Sequence, residues 1–267
     1  MKIKSDLFYK SFFISLIAFA LIAAIIICNL YITRIAIEPD QRESNILIGL
    51  THNGKLLSMA LIHCNPKHDS ITILPIPDNT LLSNGEILQN QYKSGYAVSL
   101  IDSIEDLTGA IVHRYIFLSV NAVASIVNTL GRFEYLIRYP FIYSNSECSG
   151  NTYMTGDLAK SMFLYESYDM TQTSISNIGE SFLKNFLASF GNVNDIAKLN
   201  TCLNSTEVRI NSKTNLNQDE MEKYCNFLAR FSALNQSSAS IKGETMATSS
   251  SLYFRPEQNK ATKNIFK

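Results

Sequence analysis

No arginine stands between Arg42 and Arg114, and Asp69, Asp78 and Glu86 are the only carboxylates between positions 45 and 94. A site that holds phosphate or assists hydrolysis through a metal needs cations and clustered carboxylates, so this stretch is poorly equipped for either. Serines are plentiful, but no Gly-x-Ser-x-Gly elbow occurs and no Gly-rich phosphate loop is present. The five cysteines include no Cys-x-x-Cys pair and no Cys/His spacing of the zinc type, which argues against a metal centre. The formal net charge is zero and no window is strongly basic, so nothing points to nucleic acid as a partner. Internal repeats and heptads are absent as well.

What is present begins with an anchor. Phe12 to Ile32 is an uncharged apolar run of about 21 residues, enough for a helix to cross a hydrocarbon core of roughly 30 Å. It exceeds the apolar core of a cleaved signal peptide and lacks a clear cleavage site, which favours a retained span. Lys2, Lys4 and Lys10 precede it and only Arg34 and Arg42 follow closely, so the N-terminus is expected in the cytoplasm and the rest outside, in a single-pass protein of the cell membrane. The expected layout is therefore a cytoplasmic 1–11, a transmembrane helix 12–32, a linker 33–44, a domain 45–234 and a polar, disordered tail 235–267, where Ser, Thr, Asn, Lys and Gln dominate.

Within the domain, Asn45–Leu50, Leu56–His63 and Ser70–Leu74 read as buried strands, with a turn at Asn65-Pro66-Lys67. Val98, Leu100, Ile101, Ile104 and Leu107 recur at helical spacing before a stop at Gly109. Tyr115–Val120 reads as a strand, Asn121 as the cap of a helix to Leu130, and Phe133–Tyr139 as a strand ending at Pro140. Tyr143–Thr155 reads as a loop, Gly156–Tyr165 and Ile178–Phe190 as helices, Glu207–Ile210 as a short strand, and Asn217–Ser232 as a helix. This rhythm predicts an α/β domain with a mixed central sheet between helical layers.

Of the possible catalysts, His52 and His68 read as solvated and His63 as a satisfied strand histidine. Asp157, Glu166, Asp169 and Glu180 read as solvated helix faces. Outside the cytoplasm the cysteines beyond Cys28 could pair; Cys202 and Cys225, which flank one short segment, are the candidate disulfide, with thiols in a core as the alternative.

The order of segments resembles a known family. One span, a short linker, then Asn45-Ile46-Leu47-Ile48-Gly49, Leu57-Ser58-Met59-Ala60-Leu61 and Ile73-Leu74-Pro75-Ile76-Pro77-Asp78-Asn79-Thr80 is similar to the LytR-CpsA-Psr family of bacterial cell-envelope proteins, whose strings there are NILLIG, SDTMML and LLSIPRDT. Gln89 to Gly95, Tyr115 to Gly131, Thr155 to Ala159 and Ser181 to Lys184 resemble further family segments, so that about half of the chain is covered. The resemblance implies an α/β domain that holds a polyprenyl phosphate lipid and moves a glycopolymer from its pyrophosphate to peptidoglycan or a related acceptor, with Mg²⁺ held by aspartates and with arginines clamping the pyrophosphate.

The equipment itself does not carry over. The family aspartate of the second string falls on Leu57, and the Arg-Asp of the third falls on Asp78 and Asn79. A lysine and an asparagine fall on Ile87 and Gln89, and the later arginines fall near Leu164, Glu166, Ile175 and Ile178. Asp78, Asn79, Thr80, Gln89 and Tyr92 are thus the lipid- or phosphate-binding candidates by position, and Mg²⁺ is expected only if the family chemistry persists. Three readings follow: a catalytically impaired member acting in lipid binding or scaffolding, a working transferase with a rearranged site, or an unrelated membrane-anchored binding module with a shared α/β pattern.

Overall fold

Asn53 and Gly54 set the first turn: both take positive φ (49° and 76°), the mirror-image turn that suits the twist of a two-residue hairpin. They join β1 (Ser44–His52) to β2 (Lys55–Asn65), and a 3-10 turn at Pro66–His68 leads to β3 (Ser70–Ile76). Asn65 caps that turn by accepting from the His68 N–H, and Asp69 closes it in the left-handed region. In this computed structural model the described residues are 43–92, 97–165, 175–190, 201–228, 230, 234–247, 252–257 and 266. The expected span 12–32 lies outside them; among the described residues no helix is long and apolar enough to cross a membrane.

The three strands form the middle of a mixed six-stranded sheet of order β7-β4-β1-β2-β3-β8. There β4 (Arg114–Ser119) runs parallel to β1, β7 (Ser212–Thr214) antiparallel to β4, and β8 (Asn235–Ser238) parallel to β3. Central strands read as continuous apolar runs because both faces are covered. On one face α1 (Val98–Thr108) sets Leu100 and Ile104 against Leu47, Leu61, Leu74, Ile76 and Phe117. On the other, α4 (Ile175–Phe190) and α6 (Gln218–Leu228) set Leu187, Cys225 and Phe227 against Ile46, Ala60, Ile62 and Ile73. The expected α-β-α layering is what these contacts build.

Beyond the sheet, α2 (Val120–Leu130), a hairpin of β5 (Phe133–Tyr143) and β6 (Ser146–Met154), and α3 (Gly156–Phe163) enclose an aromatic core with α4. Phe182 lies at its centre, 5.1 Å from Phe163, 5.6 Å from Phe133 and 5.7 Å from Phe186 between ring centroids.

Several local expectations are corrected. The cap of α2 is Ser119, whose side chain accepts from the Ala122 N–H, and not Asn121. Strand β5 passes through Pro140, because its register breaks between Ile137 and Phe141, where a missing N–H costs no ladder bond. Ser146–Met154 is a strand, not loop: one of its faces is wet, so its residues are polar, and the positive φ of Ser144 and Asn145 makes its turn. Glu207–Ile210 lies in a single helical turn, α5 (Thr206–Ile210), capped by Ser205. The helix expected from Asn217 does begin there, through a reciprocal cap in which Asn217 Oδ1 accepts from the Glu220 N–H and Glu220 Oε2 from the Asn217 N–H. The largest correction concerns the described part (235–247, 252–257 and 266) of 235–267, a range expected as a disordered tail. It supplies β8 and a hairpin of β9 (Gly243–Ala247) and β10 (Leu252–Pro256), and its Phe266 stacks on His63 at 4.9 Å. Polar composition misled there because edge strands and a surface hairpin need few apolar side chains.

Candidate functional site

Strands β1, β3 and β4 point the same way, so their carboxyl ends converge with the start of the antiparallel β2. In open α/β sheets this is the edge where ligands bind. Leu57, the loop after β3 and the Ser119 cap all lie along it.

Leu57 occupies a bulge. The β1–β2 register slips between Leu50↔Ser58 and Thr51↔Leu56, which leaves Leu57 without an opposite residue. A bulge re-aims a side chain, and sites often use one to present a catalytic group. Here the side chain is aliphatic and packs against the aromatic core of Phe133, Tyr135, Phe163 and Phe182. Leu164 packs on the same core and Ile178 is buried in it, so these positions serve packing. Glu166 lies outside the described residues, and of Ile175 only its place at the start of α4 is described.

Asp78, Asn79 and Thr80 sit together in the loop after β3. Thr80 is fully buried, and its Oγ1 donates to Pro77 O at 2.6 Å. The Gln89 N–H donates to Asp78 O at 2.9 Å and the Leu88 N–H to Thr80 O at 2.8 Å, so the 3-10 turn Leu88–Gln91 is clamped to this loop through its backbone. The Gln89 side chain itself is exposed. Asn79 is occupied by the C-terminal hairpin: its Nδ2 donates to Leu252 O at 3.1 Å and its carbonyl accepts from the Phe254 N–H at 3.1 Å. Its Oδ1 is buried with no hydrogen-bond partner. Tyr92 lies against Phe117, 4.9 Å between centroids; burial first, and the neighbouring Tyr115 second, push its phenol above the ordinary tyrosine range.

The described arginines are engaged elsewhere. Arg114 is bound to Glu220, its Nε at 2.9 Å from Oε1, and Arg132 lies over the Tyr153 ring at 5.0 Å. Arg230 pairs with Asp69 at 3.4 Å. Arg255 stands next to Phe254 on β10, turned to Glu244 at 3.8 Å in an exposed pair. Among the described residues no group of three or more His, Cys, Asp or Glu could hold a metal ion. One carboxylate at Asp78, one amide oxygen at Asn79 and, among the described residues, no clustered arginine do not fit a Mg²⁺–pyrophosphate complex, whose charge needs neutralising from several sides.

His63 and His113 lie apart from this loop. His63 Nδ1 is 2.8 Å from Asn45 Oδ1, and the Asn45 N–H donates to His113 Nδ1 at 3.0 Å, at the opposite end of β1. Burial lowers the His63 pKa, Glu43 opposes this and His113 adds to it. His63 is thus a satisfied strand residue. Asp157 stands in the first turn of α3, where an acid suits the helix dipole, and Glu180 pairs with Lys184 one turn on. Asp169 lies outside the described residues. The disulfide expected between Cys202 and Cys225 is corrected: both are buried thiols in different clusters, Cys202 beside Ala122, Ile126 and Val208, Cys225 beside Ile46, Cys64 and Phe227.

No known family's sequence profile matches the chain, and no curated protein does. Solved structures do. TagV of B. subtilis superposes with a TM-score of 0.69 at 16% identity, over 84% of this chain and 93% of that one. TagU of B. subtilis gives 0.57 at 17%, over 83% and 94%. TagT, in a structure bound to LI-WTA, gives 0.63 at 13%, over 82% and 87%. All three are LytR-CpsA-Psr proteins, and the fold implied by the resemblance is the fold found.

Proposed function

We propose that this chain, which has the LytR-CpsA-Psr fold, is a divergent member of that family, keeping the scaffold of a glycopolymer transferase without its chemistry. It acts at the cell envelope, anchored by residues 12–32, as a lipid-binding or scaffold protein. The observation that carries this reading is the fate of the strand-end positions. Leu57 is packed into an aromatic core, Thr80 is tied to Pro77, and Asn79 is engaged by β10. A pyrophosphate leaving group is stabilised by preorganised cations and donors, and removing even one such donor typically costs about 3 kcal/mol of transition-state stabilisation. With Leu57, Leu164 and Ile178 given over to packing and an acid, Asp78, at an arginine position, the described residues offer the transfer reaction no clustered cations for its developing charge.

One observation favours the second reading, a working site that has been rearranged: β10 brings Arg255 to the rim of the Asn79 loop. A lone, solvated arginine already paired with Glu244 is a weak clamp, and the impaired reading is preferred. The test is equilibrium binding of the full chain in nanodiscs to polyprenyl phosphate, against polyprenol as control. Saturable binding that depends on the phosphate supports the lipid-binding role. Equal retention of both lipids removes that role.

A further inference from the structure

The loop that follows β3 is covered by a segment more than 170 positions further along the chain. Three hydrogen bonds join them: Leu81 N–H to Phe254 O at 2.8 Å, Phe254 N–H to Asn79 O at 3.1 Å, and Asn79 Nδ2 to Leu252 O at 3.1 Å. Thr80 and Phe254 form an isolated parallel bridge, so the pairing is one residue deep and extends into no longer ladder. Phe254 packs on the α1 face of the core beside the buried Ile241; β9 is exposed apart from the half-buried Met246, while Leu252, Tyr253 and Pro256 of β10 are half-buried. Among the described residues, the hairpin is thus held to the body by the Phe254 anchor, the half-buried face of β10, a single bridge and the Asn79 side chain.

We infer that β9–β10 is a strap that closes over the Asp78–Leu82 loop and controls access to it, a regulatory contact that rests on the proposal that this loop is the lipid-phosphate end of the domain. In the closed state the donors Asn79 Nδ2 and Leu81 N–H are spent on two strap carbonyls, Leu252 O and Phe254 O. Both are donors that an anionic oxygen could otherwise take. The closed state also leaves Asn79 Oδ1 buried and unpaired, an uncommon arrangement that water would relieve on opening. A pairing one residue deep, an exposed outer strand and an orphaned acceptor place the strap among the elements that open without global unfolding. Gly243 makes the strap possible: a Cβ there would lie 2.3 Å from Arg255 O and 2.6 Å from Phe254 Cζ.

The experiment is native-state hydrogen exchange by mass spectrometry on the full chain in nanodiscs, without ligand, so that it succeeds or fails independently of any lipid affinity. Peptides spanning Asn79–Leu82 and Leu252–Pro256 are expected to exchange together, faster than peptides from β1 and β2. Phe254→Ala should accelerate both strap and loop by about tenfold or more, the loss expected for an apolar anchor, with β1 and β2 unchanged. Gly243→Ala, whose Cβ would collide with Arg255 O and the tip of Phe254 and so push β10 off β9 while the Asp78–Leu82 sequence and the Phe254 side chain are kept, should do the same and covers the case in which Phe254→Ala fails to fold. Loop protection equal to that of β1 and β2, or acceleration of the strap alone in either variant, overturns the inference.

Discussion

Gly179, in the first half of α4, sets helix propensity against packing. In a helix interior Gly→Ala ordinarily stabilises by about 1 kcal/mol, because glycine has the larger backbone entropy to lose. At this position a Cβ would stand 2.1 Å from Ser58 Oγ and 3.0 Å from Ser58 Cβ. The hydroxyl can rotate aside, but the Ser58 Cβ is fixed by β2, and Ser58 is 5% exposed with nowhere to retreat. Overpacking of this sort costs about 1–3 kcal/mol, so Gly179→Ala is expected to destabilise by about 1 kcal/mol net. Replacing Ser58 by glycine removes both contacts. In that background Gly179→Ala should turn neutral or stabilising by up to about 1 kcal/mol, a coupling of about 1–2 kcal/mol in a double-mutant cycle. Urea unfolding followed by far-UV circular dichroism measures it, provided the denaturant slope is unchanged. A stabilising Gly179→Ala in the native Ser58 background would refute the seating of α4 on β2.

Three further outcomes follow from the same contacts. Leu57→Asp, which restores the family's residue type, should destabilise by about 2–4 kcal/mol and give no transfer activity, because it sets a carboxylate against the aromatic core; a folded variant that turns over substrate would contradict this. His63 is held below its ordinary value of 6.5, so the unfolded chain binds its proton first; the stabilisation is complete above about pH 6.5 and is lost as pH falls below it, and His63→Gln should flatten that part of the stability–pH curve. Burial pushes the Cys64 and Cys225 thiols up to about 12, so iodoacetamide should reach the half-buried Cys148 well before either, and labelling of all three at one rate in native buffer would contradict the packing.

The sheet was legible because its three middle strands are continuous apolar runs punctuated by Asn53-Gly54 and Asn65-Pro66, signals that act locally. The helix ending at Gly109 was legible for the same reason, its φ of 68° being what the stop predicts. What escaped depends on distant partners. β6 and β8 carry too few apolar residues to announce themselves, and they form because β5 and β3 offer edges to pair with. Ser212 to Thr214 became a strand against β4 while Glu207–Ile210 turned helical, because Ser205 caps it and Val208 is wanted in a small cluster beside Ile126. The candidate loop was found from the order of motifs, and it follows β3 at the carboxyl-end edge of the sheet. Its cover was not legible, since nothing in Leu252–Pro256 says which loop it will meet.

The central claim is that the fold has been kept and the transfer chemistry lost. Its most direct measurement is turnover by the full chain, in nanodiscs with Mg²⁺, of a glycopolymer linked to polyprenyl pyrophosphate, with an active LytR-CpsA-Psr protein beside it as reference. The account predicts no release of polyprenyl phosphate by this chain under conditions where the reference works. Release at a rate comparable to the reference would contradict it and establish a rearranged, working site.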